Sequence, residues 1–123
     1  MRRDRRWTLL EHLYALNDPL GKHFDLMLED KLNCRSWRLS EIPMLDGPSV
    51  TIIATPSHNL EWLDREYAVL SEGRGIVTRL ESGTFIGELP NLEDEYLKIQ
   101  LNGKTMTGEI EIINSFCRLI SIK

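Results

Sequence analysis

At 123 residues the chain favours one domain, residues 1–123, with a core of modest size. A hydrophobic share of 41% and a charged share of 28% exclude a disordered or low-complexity chain, and no apolar run approaches the ~20 residues that span a bilayer. A net charge of −4 and a pI near 5.4 exclude the globally basic footprint of a protein that tracks duplex nucleic acid.

Local basic character remains. Four arginines fall within the first six residues, and Arg35, Arg38, Arg74 and Arg79 lie near the motifs described below, while Glu93-Asp94-Glu95 gathers acidic charge. An enzyme acting at a nucleic-acid end needs few phosphate contacts, so acidity argues less against end processing than against duplex tracking. The basic start resembles the first part of a signal peptide, but Glu11 and His12 interrupt any apolar stretch after it, which gives a cytoplasmic expectation. Cys34 and Cys117 form neither a disulfide framework nor a CxxC pair, and read as free, partly buried thiols.

In chain order, short alternating segments separated by turn residues predict an all-β fold: a small closed barrel of about eight strands with short helical turns. Trp7 to His12 reads as a strand, followed by a loop holding Asn17-Asp18-Pro19 and Gly21. His23 to Glu29 alternates, with Phe24, Leu26 and Leu28 on one face and His23, Asp25, Met27 and Glu29 on the other. A strand over Cys34 to Leu39, a loop over Pro43 to Pro48 and a β-branched strand over Val50 to Thr55 follow. Pro56-Ser57 then opens a loop or single helical turn over His58 to Asp64. Glu72-Gly73-Arg74-Gly75 reads as a loop. Ile76–Leu80 and Thr84–Glu88 read as a hairpin turning at Ser82-Gly83. Tyr96–Leu101 and Lys104–Ile113 read as a second hairpin turning at Asn102-Gly103, and Phe116–Ile122 as the strand that closes the sheet.

The polar face of the second strand carries the first chemical signal. His23 and Asp25 are two apart in an alternating strand, so an imidazole and a carboxylate point the same way. That is half of a common metal site. A hairpin-like connection would bring His12 close to His23. His58, the third histidine of the chain, follows the Pro-Ser segment. Without further context a strand histidine is more often exposed, or satisfied in a core, than a ligand.

Several blocks in the same order extend this signal. Glu11-His12, His23-Phe24-Asp25-Leu26-Met27-Leu28-Glu29 and Ser36-Trp37-Arg38-Leu39 resemble the opening of the phosphoesterase module of bacterial DNA ligase D, with its histidine at the end of the first strand, its H-Y/W-D-x-R-L-E strand and its K-S-W-A-like strand. His58-Asn59-Leu60-Glu61-Trp62 resembles that family's H-P-L-E-Y, Ser71 to Val77 its P-E-G-x-Y-G-x-G-x-V loop, and Glu81 to Phe85 its D-x-G-T-W/Y segment. Leu101-Asn102-Gly103-Lys104 with Thr107-Gly108 resembles its late L-x-G-x-K-L-x-G pair, so the likeness runs from about Trp7 to about Phe116.

The resemblance implies a divalent metal, most often Mn²⁺, held by His12, His23 and Asp25; the donor set by itself would also accept Zn²⁺, iron or Co²⁺. It implies that His58 contacts the phosphate or does acid–base work. The implied activity is metal-dependent phosphoesterase trimming of 3′ ends, on DNA or on DNA tipped with ribonucleotides, in repair or end joining beside a separate DNA ligase. Two imidazoles and one carboxylate suit that chemistry, because they leave metal positions open for water and a phosphate oxygen.

The chain departs from the family at three points. Met27 stands where the family has a strand arginine, and a thioether cannot form a bidentate phosphate clamp. Trp62 stands where the family has a tyrosine. The spacing between His12 and His23 is longer. Arg38, on a face with Cys34 and Ser36, and Arg74, in the glycine loop, are candidates to bind the phosphate in place of the missing clamp; the alternative for each is a solvated surface arginine. Trp62 is a candidate to stack on a nucleobase or to pack in a core, whereas Trp37 reads as core. Glu11 and Glu29 flank the set as possible supports for the histidines, with Glu29 expected to cap a turn or face solvent. The departures leave two further readings open: a non-catalytic module that binds nucleic-acid ends or a repair protein, and a hydrolase of a different small phosphoester.

Overall fold

The computed structural model describes residues 4–14, 21–91 and 96–122. The loop expected at Asn17-Asp18-Pro19, the acidic group Glu93-Asp94-Glu95 and the first three residues lie outside them. The described residues form nine strands: β1 (Arg5–Leu13), β2 (Lys22–Glu29), β3 (Cys34–Leu39), β4 (Val50–His58), β5 (Tyr67–Leu70), β6 (Gly75–Ile86), β7 (Leu97–Asn102), β8 (Gly108–Ile113) and β9 (Phe116–Ile120), with one 3-10 turn at Leu60–Leu63 between β4 and β5. All pairings between named strands are antiparallel, and all nine strands belong to one sheet in the order β1-β2-β3-β4-β9-β8-β7-β6-β5. A further pairing of β1 with β6 turns the sheet back on itself, so eight strands form a ring and β5 hangs on β6 as an extra edge. No helix among the described residues is long and apolar enough to cross a membrane.

Burial follows from alternation. Trp7 and Leu9 of β1, Phe24, Leu26 and Leu28 of β2, and Trp37 and Leu39 of β3 meet inward-facing residues of β4 and β6 to β9 in the main core. Trp37 is thus a core residue, as its sequence context suggested. The opposite face of β1 to β3 is covered as well. Leu10, Met27, Cys34, Leu63 and Val77 form a second, smaller core, with Leu60, Trp62 and Leu70 packed against it. The 3-10 turn forms this lid. Asn59 caps it from extended backbone, its side chain accepting the Glu61 N–H at 3.1 Å. The turn thereby directs Leu60 and Leu63 down onto the sheet. β2 is buried on both faces from His23 to Glu29, which is unusual for an antiparallel strand and fixes its register firmly.

Four expectations need correction. β5 is a strand outside the expected set, because Tyr67–Leu70 carries too short a pattern to stand out alone; it lies beside the ring of eight. Ser82-Gly83 is not a turn: β6 runs straight through it, because Trp7 and Thr8 pair with Gly83 and Ser82 across the ring closure. The β7–β8 connection does not turn at Asn102-Gly103. It runs to Thr107, because the Glu81 carboxylate accepts the backbone N–H groups of Lys104, Thr105 and Met106 and the Thr105 hydroxyl. β4 does not end at Thr55 but continues through Pro56 to His58, which makes His58 a strand residue. Proline donates no N–H to a ladder, and it is tolerated here because β9 pairs only with Val50 and Thr51, so this part of β4 has no ladder partner on that side among the described residues.

Candidate metal centre

The outer face of β1 to β3, beyond the edge of the second core, carries the polar group. His12 and His23 are direct cross-strand partners, and Asp25, two residues on, shares the face of His23. The two imidazole rings lie 4.7 Å apart at 65°. His23 Nε2 stands 3.3 Å from Asp25 Oδ2. One donor atom from each of His12, His23 and Asp25 lies within 4.8 Å of the others, and the group could hold a metal ion. Ligands at about 2.0–2.2 Å from a shared ion stand roughly 3–4 Å apart, a separation that His23 and Asp25 already have at 3.3 Å.

Two features fit a cation. An imidazole nitrogen lone pair and a carboxylate oxygen at 3.3 Å repel unless a proton or cation lies between them. His12 Nε2 lies 2.6 Å from the carbonyl oxygen of Arg74. A carbonyl only accepts, so Nε2 donates and Nδ1 keeps the lone pair, the usual way a backbone carbonyl orients a metal-binding histidine. Gly75 makes that contact possible. Its φ is +102°, and a Cβ there would collide with the carbonyl oxygen of Leu13. Sequence reading treated this glycine as part of a loop. It is instead the first residue of β6, and it lets the Ser71–Arg74 turn approach His12.

The group opens into a cleft of about 670 Å³ also lined by Arg38, Thr55, Pro56, Ser57, His58, Trp62, Leu70 and Arg74. The structure therefore brings together all the candidates: His12, His23, Asp25, His58, Arg38, Arg74 and Trp62. Their states differ. Arg38 is exposed and makes no hydrogen bond or ion pair to any described residue, so its guanidinium is available. Arg74 is tied down, with Nε donating to the Ser71 carbonyl and Nη2 to the Ser71 hydroxyl, each at 3.1 Å. Trp62 is half-buried. It stands edge-on to the His58 ring at 6.5 Å with the Arg65 guanidinium 5.1 Å from its own ring centre, so it serves the second core and the cleft wall together.

Three polar atoms on the outer face of β3 and β4 are buried without a hydrogen-bond partner among the described residues: Ser36 Oγ, Thr55 Oγ1 and His58 Nδ1. Ser36 and Thr55 are cross-strand partners, and Thr55 and His58 line the cleft. Polar capacity left unspent at a cleft can be met by the polar groups of a ligand. Sequence reading did not single out Thr55; its place opposite Ser36, visible only once the β3–β4 register is known, would have found it.

Met27 is 2% exposed within the second core, between Thr8 and Ser36 on the neighbouring strands. Glu29 corrects its expectation: it is buried rather than facing solvent, and accepts the Arg6 N–H at 2.8 Å. Glu11 lies on the opposite face of β1 from His12. Both thiols are free and buried. Burial first, then the nearby Glu29 charge, pushes the Cys34 pKa up to about 11 against the opposing pull of Arg6, and burial pushes Cys117 up to about 12.

The fold and site together define an all-β protein with a His/His/Asp group suited to a metal ion. In comparisons with known proteins, no family model matches the chain and no curated protein matches it.

Proposed function

We propose that the chain is a metal-dependent phosphoesterase that trims 3′ ends of DNA, or of DNA ending in a ribonucleotide, and that its ring is a small closed β-barrel of the kind found in the phosphoesterase module of DNA ligase D. The observation that carries this reading is the convergence of His12, His23 and Asp25 within 4.8 Å in one cleft with His58 and with Arg38, which has no partner among the described residues. The ordered resemblance of the sequence supports it. Mn²⁺ is the expected ion, and a separate DNA ligase the expected partner in repair.

A bound divalent metal would polarise the phosphoryl group and supply a water of lowered pKa. The chain's own groups do the rest. Arg38 holds a non-bridging phosphate oxygen, in place of the clamp that Met27 cannot provide. His58, at the far wall of the cleft, donates a proton to the departing oxygen or stabilises its charge. The Arg74 carbonyl keeps the His12 ring in its ligating orientation. Trp62 and Leu70 give the cleft an apolar wall that strengthens these charge interactions.

The test uses metal-stripped protein, restored Mn²⁺, and a primer–template ending in a 3′-ribonucleotide or a 3′-phosphate, with Asp25→Ala as control. Metal-dependent trimming that disappears in the control is the expected result. Trimming that persists unchanged in Asp25→Ala or His23→Ala overturns the proposal. Metal binding with no turnover on either end would instead favour a non-catalytic end-binding module.

A further inference from the structure

Six of the twelve lysines and arginines among the described residues are neutralised by carboxylates, Arg6 by Glu29 and Asp64 and Arg35 by Asp30 among them. Arg65 pairs with Glu61, Arg79 with Glu66, Lys98 with Glu109 and Arg118 with Glu111. Arg38 and Arg74 in the cleft, and Arg5 and Lys31 at one mouth of the ring, have no carboxylate partner among the described residues. Lys22, over the Phe24 ring, and Lys104 also have no carboxylate partner among the described residues, and neither lines the cleft or the hollow.

The mouth and the cleft are joined. The β2–β3 turn carries Lys31 and Asn33, and the Asn33 amide donates to the Ser57 hydroxyl at 3.3 Å. Ser57 lines the cleft, whereas Asn33 lines a second hollow of about 480 Å³ at the mouth with Arg5, Lys31 and Arg35 and with two carboxylates, Asp30 and Glu88, each engaged by a partner of its own. Arg35 is braced by Asp30, its Nε 3.0 Å from Oδ2, and Arg5 lies over the Phe85 ring. The uncompensated charge thus follows one line, from Arg38 past Ser57 and Asn33 to Lys31 and Arg5. The β4 segment along it, Thr55 to Ser57, has no ladder partner on its outer side among the described residues, which leaves backbone groups there for a ligand.

We infer that this line is a track for the phosphates of a single nucleic-acid strand, which leaves its 3′ end in the cleft and runs its preceding nucleotides across Ser57 and Asn33 onto the Lys31–Arg5 mouth. The inference rests on the proposed function for the direction of the strand. It adds that the substrate is recognised over several nucleotides, and that the recognition is electrostatic and indifferent to sequence.

The experiment measures binding without turnover. Fluorescence anisotropy, in metal-free buffer over a range of salt, compares a 3′-phosphorylated dinucleotide with a strand of about eight nucleotides, for wild type and Lys31→Glu; Lys31 is an exposed turn residue outside the reacting cleft. The longer strand should bind more tightly. Lys31→Glu should weaken it by about fivefold or more at low salt and lower the salt slope by about one, leaving the dinucleotide unchanged. Equal binding of the two lengths, or an unchanged salt slope in Lys31→Glu, overturns the track. Turnover of the dinucleotide with Mn²⁺ is followed separately. Length-dependent binding without turnover defeats the phosphoesterase reading and leaves the track standing, and turnover without length dependence does the reverse.

Discussion

The Nε2 of His12 and the backbone carbonyl oxygen of Arg74 lie 2.6 Å apart, joining the end of β1 to the turn that precedes β6. This contact decides which nitrogen of His12 is free, and it depends on a neighbour with no side chain. Gly75→Ala forces a Cβ against the Leu13 carbonyl and shifts the turn. Metal affinity should fall about 10- to 100-fold by titration calorimetry, with a stability loss of about 1–3 kcal/mol in urea. Unchanged affinity would show that the carbonyl does not orient the ligand.

Met27→Arg restores the residue type that the resemblance leads one to expect, and the structure argues that it fails. The side chain would enter the second core among Leu10, Cys34 and Leu63. Burying the guanidinium there should cost roughly 3–5 kcal/mol, whereas Met27→Leu should cost under about 1.5 kcal/mol. Urea melts of the pair check this, and a stable, more active Met27→Arg would refute it.

Arg38→Ala removes the unpaired guanidinium of the cleft. Stability should stay within about 0.5 kcal/mol of wild type, since the exposed side chain makes no hydrogen bond or ion pair to a described residue. KM for a 3′-phosphate substrate should rise about tenfold, the size of one lost charged hydrogen bond. A stability loss without a change in KM would assign Arg38 to the fold instead.

Glu81 supplies a pH dependence remote from the cleft. Burial alone would raise its pKa, but hydrogen bonds from the Thr105 hydroxyl and the N–H groups of Met106, Thr105 and Lys104 outweigh it, and the folded-state value lies below the ordinary 4.5. A depressed carboxyl contributes stability that is present above the unfolded-state pKa and is lost as pH falls through the folded-state one. Wild type should therefore exceed Glu81→Gln in stability at neutral pH, and the gap should narrow in acid below 4.5. Chemical denaturation at neutral and strongly acidic pH measures the gap; one that does not change with pH refutes the assignment.

With thiol pKa values near 11 and 12 and both sulfurs buried, Cys34 and Cys117 should stay unreactive toward a thiol reagent at mildly alkaline pH until denaturant is added. Fast labelling of the folded protein by mass spectrometry would contradict the burial.

Much of the site was legible because it is local. His23 and Asp25 share a face by period two alone, and one antiparallel connection sets His12 beside His23. What was not legible depends on distant strands. Alternation reveals two faces of β2 but not whether each is covered, and the cover over Met27 comes from the 3-10 turn at Leu60–Leu63. Ser82-Gly83 carries turn chemistry, yet extended pairing to β1 outweighs it. The β7–β8 loop escaped notice because the carboxylate that shapes it belongs to another strand.

The ring closure of β1 on β6 also governs how the molecule is made. The first strand finds its second neighbour only after β6 exists, so on the ribosome the amino-terminal strand must wait, one edge bare, while most of the chain emerges. Assembly then hinges on a long-range pairing, which makes refolding slow for a chain of this size. The half-built ring is the species a chaperone would meet.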